Sequence, residues 1–218
     1  MKTSFTKTVC LLGLAGLMSG CASSYKPIVP QNINYTAKTE SNDVLLEYKY
    51  DVLLERGNKK YAKREKKKFV QVAAVKITNN SYETITLGED SKFLAGNNSF
   101  TPLDPTVSHS QLKQGVPIYL LYLLFSNGKL ITEETYVNGM KTGEKSFPIG
   151  LIVGPGLTLY NMLKAGNANK QFLAEMQQYH ISNKQVRPGE TVYGLVAVPN
   201  SSYNPLYLKT GPDAQVQR

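Results

Sequence analysis

The chain has 218 residues, 41% apolar and 19% charged, with 25 Lys and Arg against 16 Asp and Glu and a formal net charge of +9. The length suits a single domain and the composition a packed core, which excludes a disordered chain. Two cysteines exclude a disulfide-knit scaffold, and no apolar run reaches the roughly 18 residues of a helix that spans a bilayer.

Residues 1–8 carry Lys2 and Lys7 and no acid, residues 9–18 are apolar, and Ser19, Gly20 and Cys21 follow. Basic, apolar, small is the order of a secretory leader. Leu17-Met18-Ser19-Gly20-Cys21 resembles the lipobox of bacterial lipoproteins, with Met18 where Leu is commonest. The resemblance implies cleavage of a signal peptide of residues 1–20 and lipidation of Cys21 at its thiol and new amine. With Ala22 rather than Asp next, it also implies a lipid anchor in the outer membrane of a two-membrane bacterium; the periplasmic face is expected over the cell surface. Cys10 would leave with the leader and Cys21 would be consumed by lipid, so cysteine catalysis, thiolate metal sites and internal disulfides are not expected.

Residues 21–42 predict the lipidated Cys and a flexible tether. The stretch after Cys21 is polar and interrupted by Pro27 and Pro30. Its 21 residues would reach roughly 70 Å fully extended.

The body is expected over 43–210, with 211–218 a disordered tail. Residues 43–55 (DVLLEYKYDVLLE) alternate apolar and polar with period two and predict a strand with one wet face. Residues 69–79 predict a central strand, 83–87 a third, and 92–95 and 99–102 two short ones about an Asn97-Asn98 turn. After the Pro188-Gly189 turn, residues 191–198 (TVYGLVAV) predict a buried strand, and 205–209 a last edge strand. The segments VKITNNSYETITL and VRPGETVYGLVAV resemble the paired strand signatures of immunoglobulin-like domains in bacterial envelope proteins. The resemblance implies a mainly β fold, an immunoglobulin-like antiparallel β-sandwich. That architecture hosts many functions and assigns none.

Residues 111–180 depart from a plain sandwich and predict a mostly helical insertion, making the fold α+β. Residues 116–125 are a continuous apolar run, 147–163 a second and Gly-rich one, and the polar stretch between them holds Asn138-Gly139, a hairpin dipeptide. Ala168, Phe172, Met176 and Tyr179 fall on one face of a helix that Asn167 could cap. Gly150 and Gly154 form a GxxxG spacing that allows close approach. It serves either packing against the core or, with both apolar stretches exposed, a membrane or an envelope protein partner.

The strongest charge feature is 56–68 (RGNKKYAKREKKK), with eight basic residues and one Glu. Read as a loop between strands, it keeps the protein soluble and blunts a sheet edge. As a site, Arg56, Lys59, Lys60, Lys63, Arg64, Lys66, Lys67 and Lys68 would bind an anionic lipid, lipopolysaccharide or cell-wall polymer. Nucleic acid is not an expected partner, because Tyr61 alone offers a stacking ring.

The catalytic inventory is poor. His109 and His180 lack ligand spacing, and no HExxH, GxSxG, P-loop or calcium loop occurs. Glu89-Asp90 and Glu133-Glu134 read as solvated charge. No catalytic residue, metal or cofactor is expected. The composite expectation is a non-enzymatic structural or interaction module of the cell envelope. Anion binding through 56–68 is the first alternative, and an envelope glycan or peptide hydrolase built on scattered carboxylates the second.

Overall fold

A computed structural model of the chain describes residues 21–199 and 203–211. The expected leader, with Cys10, and residues 212–218 of the expected tail lie outside the described residues. Helices and strands take comparable shares of what is described, so the fold is α+β with several antiparallel sheets. The chain divides into two units, one of residues 21–24 and 114–168 and a larger one of 25–113 and 169–211.

In the larger unit, β1 (Ala37–Ser41), β2 (Val44–Lys49), β3 (Val70–Asn79) and β10 (Thr191–Pro199) form an antiparallel sheet in the order β1-β2-β3-β10. A second sheet has the order β11-β5-β6, from β5 (Ser91–Ala95), β6 (Asn98–Phe100) and β11 (Leu206–Thr210). The pair β4 (Ile85–Thr86) and β9 (Gln185–Val186) is short. Alternation along β2 points Val44, Leu46 and Tyr48 inward, where they join Ala73, Val75 and Ile77 of β3 and Phe93, Leu206 and Leu208 of the second sheet in one buried cluster. Edge contacts reinforce this: Thr39 Oγ1 donates to the Leu206 carbonyl at 2.7 Å, and Asn42 Nδ2 to the Thr210 carbonyl at 2.7 Å.

β3 is buried on both faces over Val70–Val75, as its mostly apolar start, with Gln71 the one polar residue, predicts. On the face away from the sheet core lie two helices, α1 (Val52–Glu55) and α2 (Lys59–Lys68), with the rings of Tyr25, Tyr61 and Phe172 clustered at centroid distances of 4.8–5.5 Å.

Three expectations for this unit need correction. Residues 43–55 are not one strand: β2 stops at Lys49, and Asp51, in the left-handed region at φ 56°, turns the chain into α1. Residues 56–68 are not a loop, because Lys59–Lys68 are helical, built from good helix formers with Tyr61, Ala62 and Glu65 on a buried face. Residues 22–42 are not a tether. Tyr25, Ile28 and Pro30 are buried and 37–41 is β1, which pairs with β2 from Ala37↔Tyr48 to Ser41↔Val44. What holds the segment is Glu175, whose carboxylate accepts hydrogen bonds from the Tyr25 hydroxyl, from Ile28 N at 2.7 Å and from Val29 N at 3.0 Å. Asn58 adds two more, to Lys26 N at 2.9 Å and Lys26 O at 2.8 Å.

Gly194 interrupts β10 for a steric reason. A Cβ there would lie 3.1 Å from the Tyr179 carbonyl oxygen and inside the Ile181 side chain, and Leu195 N donates to that same carbonyl at 2.9 Å. Gly194→Ala is therefore expected to destabilise the protein by about 1–3 kcal/mol through overpacking, read as a lowered urea midpoint.

After α3 (Pro105–Leu112) of the larger unit, the smaller unit holds an apolar 3₁₀ segment (Pro117–Asn127), the hairpin β7 (Leu130–Val137) and β8 (Met140–Phe147), and the first part of α4 (Gly150–Gln178). Asn138 and Gly139 have φ of 52° and 77°, as a type I′ turn requires. α4 runs unbroken through Asn167, so that residue does not cap a helix. Ala168, Phe172 and Met176 do share its buried face, in the part of α4 that belongs mainly to the larger unit.

Candidate membrane interface

Residues 114–128 and 146–163 contain no charged side chain. They fold against each other through the GxxxG spacing. A Cβ on Gly150 would meet Ser126 O at 2.6 Å and Gly128 N at 2.5 Å, and one on Gly154 would meet Ser126 Oγ at 2.7 Å and Tyr122 O at 3.1 Å. The groove those glycines open is filled by the chain's own 3₁₀ segment. Gly150 N donates to the Gly128 carbonyl at 2.8 Å and fixes the approach.

Only a thin interior results. Tyr119 and Tyr122, stacked at 6.3 Å with parallel rings, are buried with Ala165 and Ala22, and Val116, Leu157 and Met162 pack around them. The remaining apolar side chains face outward. They include Ile118, Leu121 and Leu124 from the 3₁₀ segment, and Leu151, Ile152 and Leu159 from α4. Of the 25 large hydrophobic side chains exposed among the described residues, 19 lie in 118–163, a far higher density than elsewhere. Patches of this extent on soluble monomers mark interaction surfaces.

Cys21 belongs to this unit. Ala22 N donates to Asn161 Oδ1 at 2.6 Å, and the Gln114 side chain makes a reciprocal pair with the Ser23 backbone, at 3.2 Å to N and 2.8 Å to O. The Cys21 sulfur lies 4.0 Å from the Tyr122 hydroxyl. Burial, with the neighbouring thiol adding to it, pushes the Tyr119 and Tyr122 phenols up, so both stay neutral. The expected lipidation residue therefore belongs to the same unit as the outward-facing apolar side chains and lies beside its small interior.

No helix among the described residues is long and apolar enough to cross a membrane. The uncharged part of α4, Gly150–Leu163, is about 21 Å long at 1.5 Å per residue, against a hydrocarbon core of about 30 Å.

The basic residues stand elsewhere, in the larger unit. Lys59, Lys63, Lys66, Lys67 and Lys68 are exposed and Lys60 and Arg64 half-buried on the outer side of α2, while Arg56 precedes it and its Nε donates to the Pro27 carbonyl at 2.8 Å. Among the described residues none of Lys59, Lys63, Arg64, Lys66, Lys67 and Lys68 makes an ion pair. Lys66–Lys68 occupy the last turn, where the helix dipole favours cations.

Of the two acidic pairs, Glu133, Glu134 and Asp90 are engaged. Glu133 pairs with Lys145 at 2.7 Å and Glu134 with Lys141 at 2.8 Å, and Asp90 Oδ2 accepts from Thr86 N at 2.8 Å. His109 packs on Phe172, and burial lowers its pKa. Among the described residues no group of three His, Cys, Asp or Glu is placed to hold a metal. Sequence reasoning missed two buried acids, Glu65 and Glu175. Glu65 Oε1 accepts from Val72 N at 2.7 Å. No protein-family model, curated protein or solved structure matches the chain.

Proposed function

We propose that this chain is a lipoprotein of the bacterial cell envelope, cleaved after residue 20 and lipidated at Cys21. It is held on the periplasmic face of the outer membrane and works there as a non-enzymatic structural or interaction module. In this reading the unit 114–168 lies in one leaflet of the bilayer, beside the acyl chains on Cys21. The observation that carries it is the concentration of exposed, uncharged apolar side chains in the unit that also holds Cys21. Penetration of a single leaflet fits the short uncharged part of α4. A protein partner of the same unit would instead compete with lipid for these side chains. For the larger unit we read an immunoglobulin-like sandwich; two antiparallel sheets contributing to one buried cluster support that.

The test is flotation with phosphatidylcholine vesicles of a chain starting at residue 21 and carrying Cys21→Ser, so that no lipid contributes. It is expected to float. Adding Leu121→Ser, Leu124→Ser, Leu151→Ser and Ile152→Ser should lower partitioning at least about a hundredfold, since each apolar side chain withdrawn from water contributes on the order of 1.5–3 kcal/mol. A parent that stays in solution as a monomer, or a serine variant that floats equally well, overturns the reading.

The outward face of α2 favours a second reading, an anion-binding surface made by Arg56, Lys59, Lys60, Lys63, Arg64, Lys66, Lys67 and Lys68. Binding of the full chain to lipopolysaccharide should then weaken steeply with added salt. Lys66→Ser, Lys67→Ser and Lys68→Ser together should reduce it, and unchanged binding would dismiss this surface.

A further inference from the structure

A cleft of about 280 Å³ in the larger unit brings together Asp51, Glu65, Gln71 and Tyr203, with Leu54 and Ala62 as its apolar wall. Each polar group arrives from a different element. Asp51 stands before α1 in the left-handed region, and its side chain caps no helix N–H. Instead Asp51 Oδ1 accepts from the Tyr203 hydroxyl at 2.8 Å. Tyr203 is left-handed too, at φ 51°. Two non-glycine residues in that region on the rim of one cleft is an arrangement found at binding sites, where the surroundings hold a local strain. Glu65 comes from α2, 4% exposed, with one carboxyl oxygen taken by Val72 N. Gln71 comes from β3, also 4% exposed, and its Oε1 has no hydrogen-bond partner among the described residues.

With Glu65 ionised, the cleft therefore offers acceptors in excess. Asp51, Glu65 and Gln71, whose amide oxygen is orphaned, line this one cleft, while Asp51 and Glu65 make no ion pair among the described residues. Lys66 lines the mouth from the exposed side of α2 and bridges to neither carboxyl. A buried amide oxygen left without a donor is costly unless something supplies one. We propose that this cleft binds a primary alkylammonium group, its three N–H bonds directed to Asp51, Glu65 and Gln71 and its carbon stem lying along Leu54 and Ala62. An ammonium has three donors and no acceptor, the complement of what the cleft presents. The proposal does not rest on the membrane reading.

The charge balance gives the proposal a signature. Burial pushes the Glu65 carboxyl up to about 8, with Asp51 adding to the rise and Lys66 opposing it. Tyr203 and Gln71, the other groups on the cleft, are uncharged at neutral pH. An arriving cation binds the ionised carboxylate, so binding expels a proton from Glu65 and tightens as the pH rises toward 8. If only the ionised form binds, affinity should be about fiftyfold higher at pH 8 than at pH 6.

The full chain should be titrated with n-propylammonium chloride while the Val72 amide is followed by NMR. 1-Propanol serves as the neutral isostere and potassium chloride as the salt control. A saturable shift is expected with the amine alone, stronger at pH 8 than at pH 6. Gln71→Leu should weaken it at least tenfold, and Glu65→Gln, which keeps the Val72 hydrogen bond, should remove the pH dependence. The proposal fails if no saturable shift appears, if propanol or potassium reproduces it, or if Gln71→Leu, folded by its amide spectrum, binds like the parent. Should Gln71→Leu not fold, a pH-independent affinity in the parent overturns it equally.

Discussion

Replacing Glu175 by alanine is expected to lower stability by about 3–5 kcal/mol, the largest effect foreseen for any single substitution in this chain. The carboxylate is buried and accepts from Tyr25, Ile28 and Val29. Hydrogen bonds to a charged acceptor contribute about 1.5–3 kcal/mol each, and donors left buried without a partner lose their hydration as well. Part of the loss is offset because a desolvated carboxylate disappears with the side chain. Glu175→Gln keeps an acceptor oxygen for the two backbone donors and should fall between parent and Glu175→Ala. Urea denaturation measures the difference, and limited proteolysis should show new cleavage near residues 25–35 in the alanine variant. A loss below about 1 kcal/mol would mean that the segment 25–30 is held by its apolar side chains alone.

The second large effect is a dependence of stability on pH. Glu65 has its carboxyl raised from 4.5 to about 8, with burial the main cause. Between those values the folded chain keeps a proton that the unfolded chain has released. Stability from this group is therefore complete below about pH 4.5, falls as the pH rises, and levels off above about pH 8. A difference of this size corresponds to on the order of 5 kcal/mol across the window, at about 1.4 kcal/mol per pH unit. Glu65→Gln cannot ionise and keeps the acceptor for Val72 N. Its stability curve should run flatter than the parent's from pH 5 to 8, with the variant the more stable of the two at pH 8. Parallel curves would show that Glu65 is ionised in the folded state throughout.

Much of the sheet framework was legible because its residues obey period two or lie in dominantly apolar runs. The alternation Val44, Leu46, Tyr48 marks β2, and the run from Val70 marks a strand covered on both faces. Turn chemistry placed Gly189 before β10 and Asn138-Gly139 between β7 and β8. The failures share one cause, which is that local composition was outweighed by distant partners. Residues 25–30 look like linker because two prolines and polar neighbours surround Tyr25 and Ile28, and the carboxylate that secures them comes from residue 175. Lys59–Lys68 reads as solvated charge until Tyr61, Ala62 and Glu65 are placed on one side of a helix. The acceptor-rich cleft was invisible, since Asp51, Glu65, Gln71 and Tyr203 have no shared motif and meet only through the fold. The apolar stretches 116–125 and 147–163 were plain in the sequence. Their outward orientation was not, because it follows from how little interior Tyr119, Tyr122 and Ala165 can provide.

The clasp of Glu175 on Tyr25 sets a length scale. Only four peptide links separate Cys21 from the first ring locked into the larger unit, and extended chain spans at most about 3.6 Å per residue, so that leash cannot exceed about 14 Å. On the proposed reading, a lipid on Cys21 would keep Tyr25 within that distance of the anchor and hold the protein near the membrane that carries it. Its encounters would be a search in two dimensions, among molecules that share the same sheet of lipid.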